Sequence, residues 1–204
     1  DMSTPGIKLI CRNSYEYAAS QSSTPFDSPL SSRFDENDAI LVLDNVFVPW
    51  ENVLVYGPAH KPIDFLMDTG YLQGTCFHGC TRFAVKLDFL AGLLTRALHI
   101  TSGDEFRGNQ VLQGEVIALR HLFWSLSDAM ARTPEAFADG AFLPGLSAAQ
   151  AYRALAPDAY GRVKEIVQKI VASALIYLPS SAKDFQNPEI DGYLERYVRG
   201  SNGV

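Results

Sequence analysis

The stretch from Arg82 to Met130, RFAVKLDFLAGLLTRALHITSGDEFRGNQVLQGEVIALRHLFWSLSDAM, decides the fold. Phe83, Leu87, Leu90, Leu94 and Leu98 recur three and four residues apart, and Leu112, Val116, Leu119, Phe123, Leu126 and Met130 do the same. Each series lays one apolar stripe along a helix. Two striped helices joined by a short loop, here Ser102 to Gln110, make a helical hairpin. The loop ends in a polar cluster: the guanidinium of Arg107 and the amides of Gln110 and Gln113, beside the start of the second helix. A helix N-terminus offers free N–H groups and a positive dipole end, and a guanidinium grips phosphate through paired hydrogen bonds, so the cluster suits an anion.

Working outward, the 204-residue chain is long enough to bury a full core, as one large domain or one and a part. Its make-up, 47% hydrophobic and 20% charged, is that of a soluble globular protein. A formal charge of -6 with no Lys/Arg-rich run argues against a nucleic-acid footprint, leaving room for local basic sites. No apolar run reaches bilayer length and no secretory signal opens the chain, so no membrane association is expected. The odd, sparse cysteines Cys11, Cys76 and Cys80 suit a reducing cytoplasm. Both ends read as cut from a longer polypeptide.

Residues 1–60 carry short β-rich runs at Ile7–Ile10, Ala39–Leu43, Val46–Val48 and Val53–Tyr56, read as the last strands of a partial β-domain. The Ser/Thr/Pro-rich segment Ser20–Ser32 between them is expected to be an extended loop. From about Asp64 the pattern turns helical, so 61–204 reads as a helical bundle. Ser147 and Gln150 form a capping box ahead of a short helix. A longer helix follows, with Val163, Ile166, Ile170 and Ala174 on one face, and Pro179 ends it. Asn187-Pro188-Glu189 opens a last helix through Tyr197, for which Gly200 is the expected left-handed stop.

Cys76-x-His78-x-Cys80 has ligand-type residues, but two-residue steps scatter them around a helix and no second pair completes a tetrahedron, so no metal is expected. His60, His99 and His121 stand in no nucleophile arrangement, and His99 near a helix end is explained by the dipole. Gly200-Ser201-Asn202-Gly203 follows a helix instead of linking a strand to one, so it is no dinucleotide fingerprint. From the residues alone the chain is a mostly α protein with a partial β-domain, and a non-catalytic helical oligomerisation domain remains a rival to an enzyme.

Several stretches extend this. Ser31–Ala39, Val48–Val53, Val85–Phe89, Glu105–Gly108, Ile176–Ala182 and Tyr197–Gly203 together resemble the oxygenase component of 4-hydroxyphenylacetate 3-monooxygenase, in order along nearly the whole chain. The resemblance implies an acyl-CoA-dehydrogenase-like fold, with the end of its middle β-domain at 1–60 and its C-terminal helical bundle, truncated at its end, at 61–204. It implies a homotetramer that takes reduced FAD from a separate NAD(P)H:flavin reductase. With O2 this gives a C4a-hydroperoxyflavin that hydroxylates a phenol ortho to its hydroxyl. The resemblance places Arg107 and Gln110 against the flavin pyrophosphate of a neighbouring subunit, with Gln113, Ser180 and Ser181 as further cofactor-binding candidates. It assigns no catalytic residue here, because the phenol-gripping residues lie in the family's earlier segment. The same fold hosts 4-hydroxybutyryl-CoA dehydratase, whose bundle carries a His and a Cys with six residues between them; Thr69 and Gln73 stand seven places before Cys76 and Cys80, and that reading falls.

Overall fold

The computed structural model describes the chain except Ser23, Asp35, Glu36, Ile176, Tyr177, Ser201, Asn202 and Val204, and except the side chains of Ser22, Met67, Ala172, Ser173, Ala174 and Leu175. The parts of the resemblance that fall on these residues, and Ala174 of the predicted stripe, lie outside the described residues. The chain forms two compact units, Asp1–Tyr56 with Pro179–Tyr197, and Gly57–Leu178 with Val198–Val204.

In the first unit, β1 (Ile7–Cys11) pairs antiparallel with β2 (Ala39–Leu43), Ile7 opposite Leu43 and Leu9 opposite Leu41. Apolar side chains from both strands, Leu9, Ile10, Ile40 and Leu41 among them, are exposed. Val46–Val48 and Val53–Tyr56 are not strands, against the sequence expectation; they flank a single 3-10 turn, Trp50–Asn52. β-propensity makes a strand only where a partner backbone takes up its ladder of hydrogen bonds. Ser20–Ser32 is not extended either. The helix α1 (Tyr15–Ser22) covers its start. Successive turns follow, closed by Ser28 N–H onto Thr24 O and Ser32 N–H onto Ser28 O. The helix α6 (Pro188–Tyr197) opens as expected, Glu189 N–H donating to Asn187 Oδ1 at 3.0 Å. It ends at Tyr197, so Gly200 lies too far along to be its stop.

The second unit starts with α2 (Lys61–Asp68) and is built on three long helices. The first, α3, runs Tyr71–Thr101, starting twelve residues before Phe83, where the stripe of large side chains begins. Its buried face is Cys76, Cys80, Ala84, Leu87, Ala91, Leu94 and Leu98, spaced four or three apart throughout. Four of these seven, Cys76, Cys80, Ala84 and Ala91, are small, and small residues let a neighbouring helix come close. Phe83 and Leu90 are partly buried beside them. Ser102, left-handed at φ 52°, ends α3, and the loop to α4 (Arg107–Arg132) is only Ser102–Phe106. The predicted turn was too long, because Arg107 and Gln110 belong to the first turn of α4.

Val116, Phe123 and Met130 of α4 face this stripe with no exposed surface. Phe123 meets Phe83 edge-on at 4.6 Å between centroids, and its carbonyl accepts the Cys80 thiol at 3.3 Å. A small hairpin, β3 (Glu135–Ala136) with β4 (Phe142–Leu143), leads to α5 (Leu146–Leu175). α5 is a single helix with Pro157 inside it, not a short helix and a longer one. The capping box does not form: Ser147 is already helical, and Glu135 reaches across to accept Leu146 N–H at 2.8 Å. A carboxylate at a helix start satisfies the free donors and the dipole together. Ala149, Val163 and Ile166 of α5 close the core.

Candidate functional site

The start of α4 carries the predicted anion-binding cluster. Phe106 is extended at φ -81° and ψ 121°, and it has no side-chain oxygen with which to cap the helix. Helical hydrogen bonding begins with Asn109 and Gln110, whose N–H groups both donate to Phe106 O at 3.0 and 3.1 Å. The N–H groups of Arg107 and Gly108 come before that ladder. A Cβ built on Gly108 would meet nothing within 4 Å, so this corner is open to approach. Arg107 is exposed and makes no hydrogen bond or ion pair among the described residues.

The amides around it are engaged. Gln110 Nε2 donates to Asp104 O at 2.9 Å and Asn109 Nδ2 to Gly103 O at 2.8 Å, so both fasten the loop to the helix that follows. Gln110 retains one amide hydrogen and its oxygen. Gln113 Nε2 donates to Thr95 Oγ1 at 2.8 Å and so ties α4 to α3. The potential is mixed: Asp104 and Glu105 sit just before the guanidinium, and Asp104 lies 3.6 Å from His99 Nδ1. Sequence reasoning missed Asn109 and Asp104, whose roles depend on a loop geometry that no stripe announces.

Ser180 and Ser181 belong to the other unit. Ser180 is exposed, while Ser181 is half-buried and donates to Asp27 Oδ2 at 3.2 Å. Asp27 Oδ1 also accepts Ala182 N–H at 2.7 Å, and Thr24 Oγ1 donates to Oδ2 at 2.9 Å. The Ala182 N–H does most to hold the Asp27 carboxyl below its ordinary range, with the two hydroxyls assisting against partial desolvation. A carboxylate therefore already occupies the Ser181 hydroxyl. Asp27, in a segment expected to be plain surface loop, was not legible as its partner.

Cys76 and Cys80 share the buried face of α3 while His78 is exposed, so the histidine does not join the two thiols. No described helix is long and apolar enough to cross a membrane.

Three long packed helices in one unit and a two-stranded ribbon in the other belong to an acyl-CoA-dehydrogenase-like fold. Within that class the chain belongs to the 4-hydroxyphenylacetate 3-hydroxylase (HpaB) family, whose C-terminal model matches residues 64–204 and whose N-terminal model matches 1–55. It is 54% identical over its whole length to the 4-hydroxyphenylacetate 3-monooxygenase oxygenase component of Pseudomonas aeruginosa, of which it covers 39%. It is 55% identical to a Streptomyces globisporus monooxygenase of a (3S)-3-amino-3-(3-chloro-4-hydroxyphenyl)propanoyl group on a peptidyl-carrier protein, covering 38%. A crystal structure of an HpaB oxygenase component complexed with FAD and 4-hydroxyphenylacetate superposes with a TM-score of 0.86 at 30% identity, over 98% of this chain and 40% of that one. The chain thus spans about two-fifths of the relatives it matches.

Proposed function

We propose that this chain is the C-terminal part of a reduced-FAD-dependent aromatic monooxygenase, the oxygenase component of a two-component system. A separate NAD(P)H:flavin reductase supplies the reduced flavin, and a phenol is hydroxylated ortho to its hydroxyl with O2. The working enzyme is a cytoplasmic homotetramer in which 1–60 complete a β-domain and 61–204 form most of the bundle. The chain by itself is inactive. The bare apolar sides of β1 and β2 support a place in a larger sheet.

The observation that carries the reading is the exposed Arg107, without a partner among the described residues, at the open N-terminus of α4. Its guanidinium, the N–H groups of Arg107 and Gly108, and the remaining amide hydrogen of Gln110 would hold a diphosphate from the neighbouring protomer. Gln113, spent on Thr95, fixes the angle of α4. Ser181, spent on Asp27, fixes the turn that presents Ser180. When bound, reduced FAD supplies the activation of O2. This chain's residues bind and orient it. The two relatives of nearly equal identity carry different phenols in their names, so the substrate is proposed only as a phenol.

The test is Arg107→Ala in the intact polypeptide. Reduced-FAD affinity falls about ten- to a hundredfold, the equivalent of roughly 1–3 kcal/mol for losing charge-assisted bonds. Unchanged affinity rejects the assignment. The rival, a non-catalytic assembly domain, rests on exposed Val85, Phe89 and Leu93 of α3. Rapid mixing of the reduced-flavin complex with O2 separates the two, because an assembly domain gives no transient flavin–oxygen absorbance.

A further inference from the structure

A second concavity lies away from the α4 N-terminus, between α3 and α5, and shares no residue with the flavin reading. It encloses about 420 Å³, within the range of small-molecule sites. Its aromatic lining is Phe83, Tyr152 and Tyr160, with Phe83 and Tyr160 edge-on at 6.0 Å and 89°. Its charged lining is Arg82, Lys86 and Arg153, and no carboxylate lines it. Lys86 and Arg153 form no ion pair among the described residues; the Lys86 ammonium lies 5.2 Å from the centre of the Tyr160 ring. Lys164 stands over the same ring at 4.9 Å, adding a fourth cation.

The cleft exists because α3 has a glycine where α5 has a tyrosine. A Cβ on Gly79 would lie 2.7 Å from Tyr152 Oη, so only glycine lets the phenol seat against the α3 backbone. That hydroxyl makes no hydrogen bond among the described residues, and partial burial beside Cys80 and Cys76 raises its pKa, keeping it a protonated donor. Aromatic edges and faces with a donor hydroxyl below, and cations around the mouth, match a flat apolar body that carries one negative group.

We propose that the α3–α5 cleft binds a planar organic anion of one or two rings, an aromatic carboxylate, with its ring against Phe83, Tyr152 and Tyr160 and its charge between Lys86 and Arg153. The probe is naphthoate, titrated calorimetrically into the intact polypeptide. Naphthalenemethanol serves as the neutral analogue and cyclohexanecarboxylate as the non-aromatic one. Naphthoate binds saturably, one per chain and at least tenfold tighter than either analogue. The Lys86→Glu/Arg153→Glu variant, with unchanged circular dichroism and melting temperature, loses at least tenfold. Gly79→Val, which displaces Tyr152, loses binding without any change of charge. Arg107→Ala leaves naphthoate affinity untouched, so failure of the flavin assignment and failure of this one are separable. Equal binding of the neutral alcohol, indifference to the charge reversal in the folded variant, or no saturable binding because another segment fills the cleft would each overturn the proposal.

Discussion

Asp88 of α3 accepts the indole N–H of Trp124 on α4, whose Nε1 lies 3.1 Å from both carboxylate oxygens. Arg120, one turn earlier on α4, donates to the same carboxylate through Nε. One acid thus sets the axial register of two long helices whose apolar stripes alone would tolerate sliding. Arg120 and Asp88 are each about a third exposed, so the network is modest in energy. In a double-mutant cycle Asp88→Ala and Trp124→Phe couple by about 1 kcal/mol in urea unfolding. Additivity within about 0.3 kcal/mol would mean that the two groups do not sense each other.

Among the described residues Phe123 is the largest side chain with no exposed surface, gripped edge-on by Phe83 and Tyr152. Phe123→Ala removes a whole ring from between helices too long to collapse around the void. The expected loss is about 3–5 kcal/mol, read as a lower urea midpoint with an unchanged slope. A loss below about 1 kcal/mol would show that the bundle repacks.

The helical hairpin was legible because Leu87, Leu94, Leu98, Val116, Phe123 and Met130 carry their period in large apolar side chains. What escaped was carried by small or polar residues. Cys76, Cys80, Ala84 and Ala91 continue the α3 stripe, but their size hides it. Ser147 looked like a cap because its spacing to Gln150 is right, yet Glu135, eleven residues before Leu146, does the capping. A local motif cannot register a competitor brought in by a hairpin. Of the candidate site, the residue type of Arg107 and its nearness to a helix start could be read from sequence, while a role toward flavin came only from the resemblance and stands as a proposal. The commitments of Gln110, Gln113 and Ser181 to Asp104, Thr95 and Asp27 arise only once the chain has folded.

The thiols should separate by burial. Cys80 has no exposed surface, and burial, with Cys76 nearby, pushes its pKa up to about 11 from 9.0, whereas Cys11 is exposed. Iodoacetamide at pH 8 should label Cys11 in the native protein and reach Cys80 only on unfolding, as mass spectrometry of timed digests would show. The raised value also fixes an alkaline effect. Between about pH 9 and 11 the unfolded thiol loses its proton while the folded one keeps it, so stability falls as pH rises through that window. Cys80→Ala should flatten that part of the curve; equal labelling of Cys11 and Cys80 in the native state would refute the burial.

The acid limb belongs to α4 and α5. Arg162 forks onto Glu115, Nε to Oε1 at 2.7 Å and Nη2 to Oε2 at 2.8 Å, and its Nη1 reaches Glu165 at 2.9 Å. The hydrogen bond from Arg162 holds the Glu115 carboxyl below its ordinary 4.5, while Glu165 is lowered first by Lys169 and then by Arg162. A carboxyl whose folded pKa is depressed contributes stability that is fully present above its unfolded value. That contribution is lost as pH falls through the folded value. The melting temperature of the wild type should therefore decline below about pH 4.5 more steeply than that of Glu115→Gln, which has no proton to take up there. Both side chains are more than a third exposed, so water and salt screen the pair. The difference near neutral pH should then be only about one or two degrees and should shrink in high salt. Parallel acid limbs for the two proteins would place the charge–charge tie between α4 and α5 outside the energetics of folding, leaving Val116, Val163 and Ile166 to hold those helices together.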